Sequence, residues 1–386
     1  MSDHKKQHAN GFSLLEMTIA MALGTVVLGA AVQLYSQGVA ATWTVTQRAE
    51  MQEDYRAASN MLLSDLSLAG TGLNPGAAIQ LPTSATLPVF GCAQAASACY
   101  LGLTNAAGAS YPVQGTTPYL YGLLPGYKGG PLLPSGPEAT DTVTVVYTDS
   151  TFFLDCYDAS VASTTTVTFV LGTESHCTAN GATIQAITDP AAGLSAGDLV
   201  LFTFGTIQIV AEVTTTPTSS TVTFATSDKL QMNQGAAVPK SLASEYVAGP
   251  PLTTGFANRL FVVTYYVDKT TSPYRLMRQV SGHSPIPVAE NISYFKLTYD
   301  LFNASSDTPA VGCKNPGAVT DVCTAGSSSG LLPNQITKIN IVNMAMDSAL
   351  KGSQFGIGNG YQRMNLQTSV TARNLTYTNN YNVTSP

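Results

Sequence analysis

The chain has 386 residues, a formal net charge of −6 and a pI near 5.1, which excludes nucleic acid as the partner of the whole surface, because phosphate binding needs a basic face. Only 10% of residues are charged against 44% hydrophobic, and mean hydropathy is +0.12. Disorder driven by charge is therefore excluded, and a membrane segment or an assembly surface is expected. The length allows one large domain or two smaller ones.

The opening residues, Met1 to Gly11, are polar and mildly basic, with Lys5 and Lys6 among them. An apolar run then extends from Phe12 to Val32, close to the ~20 residues that cross a bilayer core as a helix. Lysines precede it and the next basic residue is Arg48, which predicts an amino end that stays cytoplasmic. A secretory signal peptide is the rival reading, with small-residue cleavage sites at Ala30-Ala31 or Ala40-Ala41. Two features count against it. The run is long for such a signal, and it carries Glu16 in its first turns, where a carboxylate is costly in lipid and usually functional.

Gly11-Phe12-Ser13-Leu14-Leu15-Glu16, behind a basic leader and ahead of an apolar helix, resembles the class III signal of type IV prepilins. The resemblance implies cleavage between Gly11 and Phe12 by a prepilin peptidase, with Phe12 the new and usually N-methylated amino terminus. It also implies that Glu16 neutralises the amino terminus of a neighbouring subunit in a filament. The cost of an unpaired charge would then select one axial offset between subunits. Within one helix the same two groups lie four residues apart, so internal pairing is the competing arrangement.

No proline occurs before Pro75, and Met51, Tyr55, Ala58, Leu62, Leu66 and Ala69 recur at threes and fours. One helix is predicted from about Phe12 to Leu68, roughly 85 Å long at 1.5 Å per residue. Gly70, Gly72 and Pro75 should stop it. The expected organisation is a leader over 1–11, a transmembrane or filament-core segment over 12–33, a periplasmic half-helix over 34–69 and a β-rich head over 70–386. Asp65-Leu-Ser-Leu-Ala-Gly70 is similar to the helix-ending segment of the PilW-like minor pilins, whose relatives include the J-type minor pseudopilins of type II secretion. Leu366 to Leu375, Tyr274 to Arg278 and Ile292 to Tyr299 resemble strands of that group. The absence of a proline kink in the apolar helix departs from many major pilins and favours a minor component.

From Pro75 to about Thr140 the chain is rich in Gly, Pro, Ala, Ser and Thr and reads as a long loop. Strands are expected at 142–148, 165–171, 199–213, 221–225, 259–267, 274–280, 292–301, 336–346 and 366–377, from their Val, Ile, Thr, Tyr and Phe content. The fold class expected is α+β and type IV pilin-like: a long amino-terminal helix on a mostly antiparallel sheet, with a large β-rich insertion over about 76–250. Six cysteines fall as three near pairs, Cys92/Cys99, Cys156/Cys177 and Cys313/Cys323. They read as disulfides rather than metal ligands, which places the head in an oxidising compartment.

No catalytic constellation is evident in the sequence. His4 and His8 belong to the leader, His176 sits in a loop beside Cys177, and His283 lies in a Gly-Ser-Pro turn, neither of the last two with the nearby carboxylate and nucleophile arrangement that catalysis requires. Gly70-x-Gly72 closes a helix rather than opening one, so it cannot cradle phosphate. Neither an enzymatic activity nor a cofactor is expected. The function implied is a minor pilin of a type IV pilus, with the major pilin, other minor pilins, the prepilin peptidase and the inner-membrane assembly platform as partners. Its alternatives are a minor pseudopilin of a type II secretion system and, in a different class, a membrane-tethered adhesin.

Overall fold

The computed structural model describes residues 12–73, 79–82, 113–114, 117–134, 138–172, 177, 184–249, 252, 254–270, 272–303, 308–316, 321–348 and 363–375. Helix α1 spans Leu14–Ser67, 54 residues, with Ser13 as its N-cap. Its burial is confined to the second half, where Met51, Ala58, Leu62 and Leu66 face the head at the spacing of one helical stripe. Before Met51 every side chain is exposed or half-exposed. The helix ends as Gly70 and Gly72 turn left-handed, at φ 76° and 72°. A Cβ at Gly72 would strike the Thr148 hydroxyl, so the chain leaves the helix in close contact with the sheet. Pro75, the third expected stop signal, lies outside the described residues.

Seventeen strands follow among the described residues. They are β1 (Ile79–Gln80), β2 (Val113–Gln114), β3 (Thr117–Leu120), β4 (Leu123–Gly126), β5 (Thr142–Thr148), β6 (Tyr157–Ser163), β7 (Thr166–Leu171), β8 (Leu199–Phe204), β9 (Ile207–Glu212), β10 (Thr221–Thr223), β11 (Phe256–Asp268), β12 (Arg275–Val280), β13 (Ile286–Glu290), β14 (Ile292–Asn303), β15 (Thr308–Cys313), β16 (Ile336–Asp347) and β17 (Arg363–Thr371). A short helix α2 (Leu242–Ala248) precedes β11. All ladders are antiparallel. The largest sheet runs β13-β12-β11-β5-β4, with β8 and β9 continuing from β11, and a four-stranded sheet runs β15-β14-β16-β17. The α+β pilin-like architecture is thus realised: a long apolar helix followed by an antiparallel β-rich head.

The helix packs on residues of both sheets. Leu62 and Leu66 share one core with Val143, Val145, Tyr265 and Leu276 of the large sheet and with Phe295, Leu297, Ile339 and Met344 of the small one. The large sheet is buried on its other face too, where Val146, Leu201, Val210, Leu260 and Val262 join Leu81, Leu120, Leu230 and Met232. Phe169, Phe202, Phe204 and Phe224 build a third core, in which β6 and β7 cover the β8–β9 hairpin.

Within the stretch of about 76–250, expected as a β-rich insertion, the described strands β4, β5, β8 and β9 join the sheet of the later strand β11. β5 pairs directly with β11, register Val145 to Val263, and carries side chains of the helix-facing core. The cause is long-range pairing, invisible in local composition. The strand expected over 199–213 is a hairpin, because Gly205 takes φ 61° and reverses the chain between Phe204 and Ile207.

Candidate functional site

The amino-terminal end of α1 is built by a short polar frame in an apolar sequence. The Ser13 hydroxyl accepts the Leu15 N–H at 3.3 Å, and Ser13 O accepts the Met17 N–H at 3.1 Å, so the helix starts where the apolar run starts. Glu16 is the third helical residue and the one acid of the first turn. A carboxylate there complements the partial positive charge of the helix start, which is a structural reason for an acid at this position beside any assembly role.

Beyond Glu16 no charged residue occurs until Arg48. Phe12 is 87% exposed, and Leu14, Leu15, Met17, Ile19, Met21, Leu23, Val26, Val27 and Leu28 are all exposed. The stretch is apolar and long enough to cross a membrane, and no residue of its most apolar part is buried against the head. A helix apolar on every side and uncovered by its own protein requires lipid or other helices around it. Tyr35 and Trp43 follow the apolar run and are also exposed. Gly11, the residue before the predicted cleavage point, lies outside the described residues.

At its other end the helix is fixed by a buried polar clamp. Asp65, 5% exposed, sits on the buried stripe between Leu62 and Leu66. Arg278 of β12 donates from Nε to Asp65 Oδ2 at 2.7 Å and from Nη2 to Oδ1 at 3.2 Å. Tyr265 of β11 donates its hydroxyl to Oδ2 at 2.6 Å, and Tyr147 of β5 donates to Oδ1 at 3.4 Å. Three neighbouring strands therefore converge on one helix carboxylate. The paired guanidinium satisfies its charge, and burial with the adjacent carboxylate pushes the Tyr147 hydroxyl up to about 12. The clamp itself is not legible in the sequence. The available signal was an acid inside an apolar helical stripe, which demands a partner.

Of the other predicted positions, Cys156 is bonded to Cys177 and Cys313 to Cys323, while Cys92 and Cys99 lie outside the described residues, as does His176. Asp321 lies within ligand distance of Cys313 and Cys323, but those sulfurs are joined to each other, leaving no thiolate to hold a metal. His283 does have a carboxylate neighbour. Its Nε2 is 2.8 Å from Asp198 Oδ1, supplied by a residue far upstream at the start of β8. Ser195 donates its hydroxyl to that same Asp198, at 3.3 Å from Oδ2, so the histidine and serine share an acid rather than forming a nucleophile–base pair.

No curated protein and no solved structure matches this chain. Residues 6–32 match the family model described as the prokaryotic N-terminal methylation motif. That match spans the basic residue Lys6, the Gly11–Phe12 junction, Glu16 and the apolar run, and it implies prepilin-peptidase processing and membrane anchoring. With the exposed apolar helix, it supports a structural protein of the type IV pilin and pseudopilin class.

Proposed function

We propose that this chain is a minor pilin of a type IV pilus, cut between Gly11 and Phe12 and held in the inner membrane until it enters the filament. There it helps initiate assembly or stands near the tip. The observation that carries this reading is a first half of α1 that is apolar on all sides, uncovered by the head, and marked by a single carboxylate in its first turn. Cleavage would free a charged amine at Phe12, beside the positive end of the helix. Those like charges call for an anion, and Glu16 of this chain or of a neighbour is the group of the right chemistry. Packing of exposed helices into a filament core would then cover Leu14 to Leu28 as lipid does before assembly. The partners this implies are the major pilin, other minor pilins, the peptidase and the assembly platform, with the head in the periplasm and then on the cell surface. No cofactor enters the reading.

Mass spectrometry of the amino terminus, on protein recovered from its own host, tests it. A mature end at Phe12, with or without a methyl group, is expected. A mature end beyond Ala30 would make the apolar run a conventional signal peptide and remove the proposal.

A further inference from the structure

Away from the helix, titratable groups converge where the β12–β13 turn rests on the β8–β9 hairpin and on the loop after β10. Gly282 donates its N–H to Gly197 O at 2.8 Å, and Lys229 Nζ donates to Gly282 O at 3.0 Å. Beneath the turn lies Glu212, the last residue of β9 and 2% exposed. A Cβ at Gly282 would lie 2.3 Å from Glu212 Oε1, so turn and carboxylate are in direct contact and a larger residue there would displace the Glu212 side chain. Glu212 Oε2 accepts the Leu230 N–H at 2.7 Å. Its backbone is gripped from both sides by Asn233, which accepts from Glu212 N at 2.9 Å and donates to Glu212 O at 2.6 Å. Asp228 opens the same loop. Its Oδ2 accepts from the Met232 and Asn233 amides, and its Oδ1 is buried with no hydrogen-bond partner among the described residues. On the outer rim Asp198 engages His283 at 2.8 Å and Arg259 at 3.8 Å.

We propose that this junction is a proton-operated latch, in which protonation of Glu212 closes the β12–β13 turn, the 228–233 loop and the β8–β9 hairpin on one another, and its ionisation opposite Asp228 loosens them. The physical case rests on two buried carboxylates, Glu212 and Asp228, meeting at one junction. The nearby ammonium of Lys229 is exposed and already donates to Gly282. His283 is committed to Asp198 on the rim, and Arg259 is hydrogen-bonded to Asp149 with Asp198 3.8 Å away. Burial, with the charge of Asp228 adding to it, lifts the Glu212 carboxyl to about 7; the Leu230 and Lys229 amides and the Lys229 charge offset part of that rise. An acid raised in the closed state holds its proton there. The closed form is therefore fully favoured below the ordinary value of 4.5, loses that advantage as pH rises towards about 7, and changes little above it. The β8–β9 hairpin and β12 belong to one sheet through β11, and the hairpin also lines the aromatic core beneath β6 and β7. The latch thus tightens the turn and the 228–233 loop against the end of that hairpin in acid.

Hydrogen exchange of the full chain in detergent micelles, corrected for intrinsic exchange rates, tests this between pH 5 and 8. Protection of peptides covering 228–235 and 279–285 should fall on the order of fiftyfold across that range, with the 51–67 stretch of α1 unchanged. Glu212→Gln should give a flat profile. Should that variant not fold, Asp228→Asn removes the like charge and should move the midpoint of the fall to lower pH. Constant protection in the unmodified chain, an unaltered profile in Glu212→Gln, or an unmoved midpoint in Asp228→Asn would each overturn the proposal.

Discussion

Arg278→Ala isolates the clamp that fixes the helix to the head. The substitution removes the donors at 2.7 Å and 3.2 Å from Asp65 and leaves that carboxylate buried. Breaking a buried ion pair by deleting one partner costs about 3–5 kcal/mol. Here the Tyr265 hydroxyl at 2.6 Å still donates to the abandoned carboxylate, with Tyr147 as a weaker second, so about 2–3 kcal/mol is expected. For a domain of this size that corresponds to a fall in Tm of roughly 3–5 °C. Thermal unfolding of the full chain in detergent, followed by the β-sheet circular dichroism signal, reads it. The double variant Asp65→Leu/Arg278→Met replaces the pair with apolar groups and should recover part of the loss, because no unpaired charge is left behind although the Tyr265 and Tyr147 hydroxyls lose their acceptor. A loss below about 1 kcal/mol in Arg278→Ala, or a double variant less stable than the single one, would refute the reasoning that an unpaired Asp65 is the source of the penalty.

Three further outcomes are expected. The Tyr147 hydroxyl is raised from 10.0 to about 12 in the folded chain, so its share of stability is complete below pH 10 and disappears as pH rises from 10 towards 12; Tyr147→Phe should reduce the slope of that part of a denaturation-against-pH curve, to which Tyr265 and Tyr299, also raised, still contribute. Replacing both Cys156 and Cys177 by serine opens a loop closed over 21 residues and should cost about 3 kcal/mol in chain entropy, seen as a lower Tm than the oxidised parent and indifference of that segment to reductant. Glu16→Ala should leave cleavage at Gly11 intact while reducing the amount of protein in sheared filaments. Unchanged incorporation would discard the assembly role of the carboxylate.

The features legible in the sequence are those written in local chemistry. The 12–32 run announces itself because so long an apolar stretch has few other uses, and the 51–69 stripe because its period matches a helix on a sheet. β5, β11, β14 and β16 were visible through their β-branched and aromatic alternation. β6 was not: Tyr157-Asp-Ala-Ser-Val-Ala-Ser163 has weak strand character and is held by pairing with β7 and by a bridge from Ala159 to Gly255. The clamp was equally hidden, since Asp65 meets Tyr147, Tyr265 and Arg278 across 82, 200 and 213 residues of chain. The same holds for His283 and Asp198, whose meeting depends on the β12–β13 turn abutting the start of β8. Sequence reveals which polar groups need partners in an apolar setting, but the partner is chosen by topology.

The freestanding length of α1 makes the clamp an angular device. From Met51, the first buried helix residue, back to Phe12 the helix extends about 58 Å without support from its own head. On a lever of that length, a tilt of about 10° at the head displaces the amino end by roughly 10 Å, close to the spacing of packed helices. Non-directional apolar contact around Leu62 and Leu66 tolerates small rocking, whereas a carboxylate bonded from three strands does not. Aim at the far end of the helix is therefore set by the precision of a few hydrogen bonds at Asp65, and slack introduced there would be magnified before it reaches Glu16.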